Sequence, residues 1–301
     1  MNNLHCIATN DRKSTQNGGT VTYNHHKSNK ISIVKEDSRL CDGIGGVIWD
    51  GALLMSFVLE ELIPNLGNDT SIIELGAGAG LTSIVSQKCI TSDETNVIST
   101  DRYIDLLDIN ITNNNLSNKI ISAVLDWENP EEVHLLKHIK KNVIIIGVEI
   151  ACLVKQQKKL INTIKNLCND NINSTILITF DETTENESNY EKQFIEHMAK
   201  EGYISAIIFT GSIEWNENET IAYVHDITNR YHHDLNHFGF PGNRNEYKEI
   251  KTSKEEPPPI PKVSNSDSNN NNHRSTLHHV LAFYQVVLTL SNIIIIMINY
   301  T

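Results

Sequence analysis

The stretch Ile72-Ile73-Glu74-Leu75-Gly76-Ala77-Gly78-Ala79-Gly80-Leu81 joins an apolar run to a carboxylate and then to three alternate glycines. Residues of these types at this spacing are suited to holding a nucleotide-like ligand. Glycine reaches backbone conformations closed to other residues and lacks the side chain that would keep a ligand off the main chain. The N–H groups opening the next helix then face that ligand. Glu74, two residues before Gly76, suits a ligand bearing hydroxyls and positive charge better than one bearing a pyrophosphate. A dinucleotide fingerprint places its third glycine one residue further on, so that the helix N-terminus holds a diphosphate. A nicotinamide or flavin site is therefore the less favoured alternative.

Other carboxylates follow β-like runs. Val97-Ile98-Ser99-Thr100 ends in Asp101, about 20 residues past the glycines, where a doubly wound fold places the carboxylate that holds a ribose diol. The same residue would also serve as an N-cap for a helix beginning near Ile104. Ile120-Ile121-Ser122-Ala123-Val124 leads into Leu125-Asp126-Trp127, and Val143 to Val148 leads into Glu149.

The elements that must carry these groups alternate in period. Apolar residues at Leu53, Leu54, Phe57, Val58, Leu62 and Ile63 mark a helix ended by Pro64. From Ser71 the pattern predicts strands over 71–75, 96–100, 120–124, 142–148, 174–180, 203–209 and 219–225. Helices are expected over 80–88, 103–115, 129–139, 156–169 and 187–201. Repeated β-α-β units imply a parallel sheet with right-handed crossovers and helices on both faces. Glu74, Asp101, Asp126 and Glu149 all fall at carboxyl ends of strands, where such a sheet binds its ligand.

Composition limits the partners. The 301 residues hold 25 Lys and Arg against 37 Asp and Glu, a net charge of −12. A chain whose affinity comes from covering phosphates is a poor match, so nucleic acid is not the expected partner. An acidic surface suits a basic protein substrate. Five scattered cysteines, odd in number and without a Cys-x-x-Cys pair, point to reduced thiols and a cytoplasmic or nuclear setting. No signal-peptide pattern is readable at the N-terminus. The doublets His25-His26, His232-His233 and His278-His279 lack metal-ligand companions and read as solvated or capping histidines; no metal site is expected.

Residues 1–30 are rich in Asn, Ser, Thr and His and are expected to be disordered. The catalytic domain is expected over 31–250, and a Pro- and Asn-rich linker over 251–275. An apolar tail over 276–301 follows. Its uncharged run from Val280 to Met297 is at the lower limit for spanning a bilayer, which makes it a candidate C-terminal membrane anchor.

The acidic residue, one apolar residue and Gly-x-Gly-x-Gly resemble motif I of class I methyltransferases. Gly46-Val47-Ile48-Trp49-Asp50-Gly51-Ala52-Leu53-Leu54 resembles the Trp-plus-helix signature of methyltransferase family 16, the seven-β-strand, mostly protein-lysine methyltransferases. With Thr100-Asp101, Leu125-Asp126-Trp127 and Gly147-Val148-Glu149-Ile150, the match runs in order over roughly residues 30–225. The resemblance implies a Rossmann-like α/β fold, a seven-stranded mostly parallel sheet with an antiparallel edge hairpin. It also implies S-adenosylmethionine as cofactor and a protein lysine as substrate. By it, Trp49 lies against the cofactor, and Glu74, Gly76, Gly78 and Gly80 form its loop. Asp101 holds the ribose, and Asp126 with Trp127 meets the adenine. Read without the family, Trp49 is by default a core aromatic at the start of a helix, and a surface-loop aspartate is the alternative for Asp126.

Glu149 matches the acidic residue of the family's strand-four motif, placed at the reaction centre, whereas the tyrosine three residues on is replaced by Cys152. Two alternatives stay open: a degenerate cofactor-binding or scaffold module, and a small-molecule methyltransferase. Methyl transfer is an in-line displacement, so a protein mainly aligns the groups and excludes water. Neutralising a lysine at pH 7 costs about 4 kcal/mol. A carboxylate orients the ammonium but raises its pKa, so deprotonation must come from desolvation and the nearby sulfonium.

Overall fold

The computed structural model describes residues 4–10, 19–41, 44–66, 68–128, 135, 137–152, 155–168, 173–181, 188–215, 221–226 and 292–299. Three antiparallel strands come first, β1 (Leu4–Asn10), β2 (Thr20–Asn24) and β3 (Ile31–Lys35), followed by helix α1 (Asp50–Leu62). Then β4 (Thr70–Leu75), α2 (Leu81–Cys89), β5 (Asn96–Asp101), α3 (Asp105–Asn113), β6 (Ile120–Val124) and β7 (Asn142–Val148) alternate. They are followed by α4 (Gln157–Leu167), β8 (Asn173–Asp181), α5 (Ser188–Lys200), β9 (Tyr203–Trp215), β10 (Ile221–Asp226) and finally β11 (Asn292–Asn299). The helix expected over 129–139 falls mostly outside the described residues.

The strands form one sheet in the order β3-β2-β1-β10-β9-β11-β8-β7-β4-β5-β6. Its half from β6 to β8 is parallel. Chain order there reverses between β4 and β7, the switch point at which a doubly wound sheet opens a crevice. Buried strands with β-branched residues on both faces explain this half. Ile72 and Ile144 pack into one core with α1, α2 and α3. Their neighbours Ile73 and Ile145 pack into a second core with α4 and α5, as the period of two along a strand requires.

Three expectations are corrected. Residues 1–30 are not all disordered, because Leu4–Asn10 and Thr20–Asn24 are strands of the main sheet. Their few apolar residues are well used: Ile7, Val21 and Tyr23 are fully buried. The Tyr23 hydroxyl donates to Glu60 of α1 at 2.8 Å. The sheet has 11 strands rather than seven among the described residues, and the antiparallel β9–β10 hairpin is internal, since β1 pairs with β10. The third concerns the apolar tail. Asn292–Asn299, expected within a candidate anchor, is strand β11, antiparallel to β8 and β9 on either side. A run of consecutive apolar residues has the same composition in a bilayer and in a central strand, and neighbours decide between them. Among the described residues no helix is long and apolar enough to cross a membrane. The linker over 251–275 lies outside the described residues.

His25 and His26 also depart from expectation. His25 is buried, 2.9 Å from the Ser32 hydroxyl, and burial lowers its pKa to about 4. His26 stacks on Phe57 and lies 3.0 Å from the Glu60 carboxylate. The other two doublets lie outside the described residues.

Edge strand β3 is closed by two amides, Asn110 of α3 and Asn114 directly after it. Asn110 Oδ1 accepts from Lys35 N at 2.8 Å and its Nδ2 donates to Lys35 O at 2.9 Å. Asn114, one helical turn on, does the same at Ile33. Side-chain amides thus satisfy an edge that would otherwise template pairing with another chain.

Candidate active site

The carboxyl ends of β4, β5, β7 and β8 and the segment before α1 enclose a cavity of about 510 Å³, a size typical of small-molecule sites. Its floor is the glycine loop after β4. Gly78 has φ +53° and Gly76 has φ +66°, left-handed conformations that favour glycine. A Cβ on Gly78 would collide with the carbonyl oxygen of Gly45, and one on Gly76 would come within 2.9 Å of Ile150. Gly80 is different. It precedes α2 and does not line the cavity, and a side chain there would strike Leu107 of α3. Its place is in helix packing rather than against a ligand.

Glu74 borders the cavity but its carboxylate is committed to the protein. The Ser83 hydroxyl, in the first turn of α2, donates to it, and Thr82 and the Ser83 N–H add further bonds. Burial pushes its pKa up to about 7 against those bonds. Glu74 therefore ties the end of β4 to the helix that begins beyond the glycines.

Asp101 braces the same loop from β5. Its Oδ2 accepts from Gly78 N at 2.8 Å and its Oδ1 from Tyr103 N at 3.2 Å. Burial raises its pKa in spite of these bonds. Asp126 stands at the end of β6, where Oδ1 accepts from Glu128 N at 2.9 Å. Arg102 grips Oδ2 through Nε at 3.1 Å and Nη2 at 3.0 Å. The Glu128 N–H first, and then Arg102, hold the Asp126 carboxyl below its ordinary range. Trp127 and Trp49 also border the cavity. Trp49 is 48% exposed, which rules out the core-aromatic alternative; its indole N–H donates to Ile44 O at 3.1 Å.

Glu149 stands across the crevice, directly after β7, with φ +53°. A non-glycine residue in that conformation is strained, and such strain gathers at functional sites. The turn is held from three sides. Glu149 N donates to Thr179 Oγ1 at 3.0 Å, Oε1 accepts from Gly51 N at 3.0 Å, and Cys152 Sγ donates to Glu149 O at 2.9 Å. Gly51 lies in the first turn of α1, where backbone N–H groups and the helix dipole favour an anion.

The cavity thus gathers Glu149, Trp49, Glu74, Gly76, Gly78, Asp101, Asp126 and Trp127, and leaves out Gly80. Sequence reasoning missed Arg102, Thr179 and Phe180, and Tyr190. The strand-end rule reaches Thr179 and Phe180, since they close β8 as Glu149 closes β7. Arg102, the residue after Asp101, carried a local signal in its charge. Nothing in the sequence singles out Tyr190.

A family model described as lysine methyltransferase matches residues 26–201. Protein N-lysine methyltransferase METTL21A of Xenopus tropicalis is 27% identical over 128 residues, 42% of this chain and 56% of that protein. The chain therefore spans little more than half of that relative's length. The Mus musculus protein of the same name is 27% identical over 180 residues, 56% of this chain and 76% of the relative. The O-methyltransferase of Bacillus cereus solved in complex with SAH aligns with a TM-score of 0.37 at 14% identity, over 57% of this chain and 78% of the other. That likeness is too loose to carry weight.

Proposed function

We propose, from the premise that this chain belongs to the lysine methyltransferase family, that it methylates a lysine side chain of a protein with S-adenosylmethionine as donor. The observation that carries this reading is Glu149, a strained residue at the switch point that borders the same cavity as the glycine loop. The residues present fit an adenosyl sulfonium. Gly76 and Gly78 border the cavity without side chains, the Asp101 and Asp126 carboxylates stand on adjacent strand ends, and two tryptophans offer flat apolar walls. Asp101 is assigned to the ribose, and Asp126 with Trp127 to the adenine. When bound, the donor supplies a methyl group already activated on sulfur.

The chain's own residues then have to hold a lysine in line and keep water out. Glu149 orients the incoming ammonium. Gly51 N fixes Oε1, so the carboxylate presents one geometry rather than several. Val148, Ile150 and Phe180 make that end of the cavity apolar. Their desolvating effect favours the neutral amine, while Glu149 alone would favour the cation. The proton leaves the amine towards Glu149 and then to water.

A basic protein segment is the substrate favoured by the net charge of −12. The five cysteines form no disulfide among the described residues, which fits a reducing compartment, cytoplasm or nucleus. A second reading, a cofactor-binding module without transfer, is favoured by Cys152, which puts a thiol at the tyrosine position of the resembling motif.

Calorimetric titration with S-adenosylhomocysteine, paired with tritiated methyl transfer into lysate proteins and mass spectrometry of the labelled residue, tests both. Binding together with methyl-lysine supports the enzyme. Binding without label supports the module, and no binding, or binding unchanged in Gly78→Arg, rejects the site itself.

A further inference from the structure

Resting on the lysine-methyltransferase reading, we propose that Tyr190 forms an aromatic wall of the channel that admits the acceptor side chain. The cavity has two ends. The glycine loop, Asp101 and Asp126 make one; the turn after β7 and the end of β8 make the other. Tyr190, the third residue of α5, is half-buried and borders the cavity.

A buried bridge assigns it to the second end. Gln157, the first residue of α4, is 2% exposed. Its Nε2 donates to Ala151 O at 2.7 Å and to Tyr190 O at 3.0 Å. Ala151 belongs to the 3-10 turn Ile150–Cys152 that follows Glu149 directly. One amide therefore fixes the start of α5 against the turn that carries the carboxylate. A hydrogen-bonded group buried this well holds a single geometry.

The chemistry of that end calls for a ring. An alkylammonium is attracted to an aromatic face, and its methylene stem packs on the same surface. The turn itself offers no ring there: it contributes Glu149, Ile150 and the small thiol of Cys152. A ring from α5 supplies what that turn lacks, and it excludes water beside Glu149.

The test needs no natural substrate. The probes are S-adenosylhomocysteine and an adenosyl analogue with nitrogen in place of sulfur, carrying a four-carbon aminoalkyl arm where the transferred methyl would sit. Their affinities are measured by calorimetry on the full chain for wild type, Tyr190→Phe and Tyr190→Leu. Wild type should bind the armed probe about tenfold more tightly than S-adenosylhomocysteine. Tyr190→Leu should remove three- to tenfold of that gain, roughly the worth of one cation–π contact, and leave S-adenosylhomocysteine unchanged; Tyr190→Phe should keep the gain.

An arm that adds nothing in wild type overturns the proposal. So does a gain that survives in Tyr190→Leu, a loss equal in Phe and Leu, or a loss of S-adenosylhomocysteine affinity in the Leu variant. Absence of S-adenosylhomocysteine binding by wild type instead overturns the methyltransferase reading, and the channel with it.

Discussion

The carboxylate of Glu149 accepts a hydrogen bond from the backbone N–H of Gly51 at 3.0 Å, which joins the end of a central strand to the first turn of a helix 98 residues earlier in the chain. The two residues are mutually constrained, because a side chain at 51 would collide with Oε1 and come within 2.9 Å of Thr179 Oγ1.

Gly51→Ala should therefore destabilise the protein by about 1–3 kcal/mol, as overpacking does. This reverses the gain of about 1 kcal/mol that alanine brings to an ordinary helical position. Urea denaturation of the two proteins reads the sign directly. Stabilisation would mean that the carboxylate is not held where the structure places it.

Glu149→Gln keeps an acceptor for Gly51 N and removes the charge. Methyl transfer should fall by about 10²-fold, the scale of a lost acid–base group, while S-adenosylhomocysteine binding and the thermal midpoint stay near wild type. Unchanged turnover in a single-turnover assay would remove Glu149 from the reaction centre.

Gly78 and Gly80 should separate on substitution. Alanine at either position is strained by about 1–2 kcal/mol for its left-handed backbone. Gly78→Ala also forces the loop away from Gly45 O and should abolish measurable binding of S-adenosylhomocysteine. Gly80→Ala acts on Leu107 and should lower the unfolding midpoint more than the affinity. Calorimetry and thermal unfolding of both variants decide the matter, and equal losses of affinity would return Gly80 to the ligand.

Glu74 predicts a pH dependence of stability. Its carboxyl is raised by burial from 4.5 to about 7. Between these values the folded chain keeps a proton that the unfolded chain has released, so this group's contribution falls as pH rises from about 4.5 to 7 and is level above. Glu74→Gln cannot ionise. The stability of the variant relative to wild type should therefore climb across that window by up to about 3 kcal/mol. Urea unfolding at pH 5, 6, 7 and 8 measures it, and a constant difference contradicts the shift.

Strand β11 is paired on both sides, so amides of Ile293 to Ile298 should exchange with solvent as slowly as those of Ile176 to Ile178 in β8, governed by global rather than local opening. Hydrogen exchange read by mass spectrometry checks this. Rapid exchange of the terminal peptide would place it outside the sheet.

The amino-acid sequence by itself determined the β-α alternation from Thr70 to Val124 and again from Asn142 to Lys200, the glycine loop, Trp49 and the carboxylates at four strand ends. Those signals are local: side-chain period, glycine spacing and the rule that ligands meet the carboxyl ends of parallel strands. It did not determine that Leu4–Asn10, Thr20–Asn24 and the apolar terminal segment Asn292–Asn299 all enter the same sheet. A short run has no stable state of its own, and which strands flank it fixes whether it is buried, exposed or membrane-bound. Tertiary structure likewise decided that Glu74 holds a helix, that Arg102 grips Asp126, and that Gln157 brings Tyr190 to the turn beside Glu149. Each of these depends on the distance between groups far apart in the chain, and only the packed sheet and its helices set that distance.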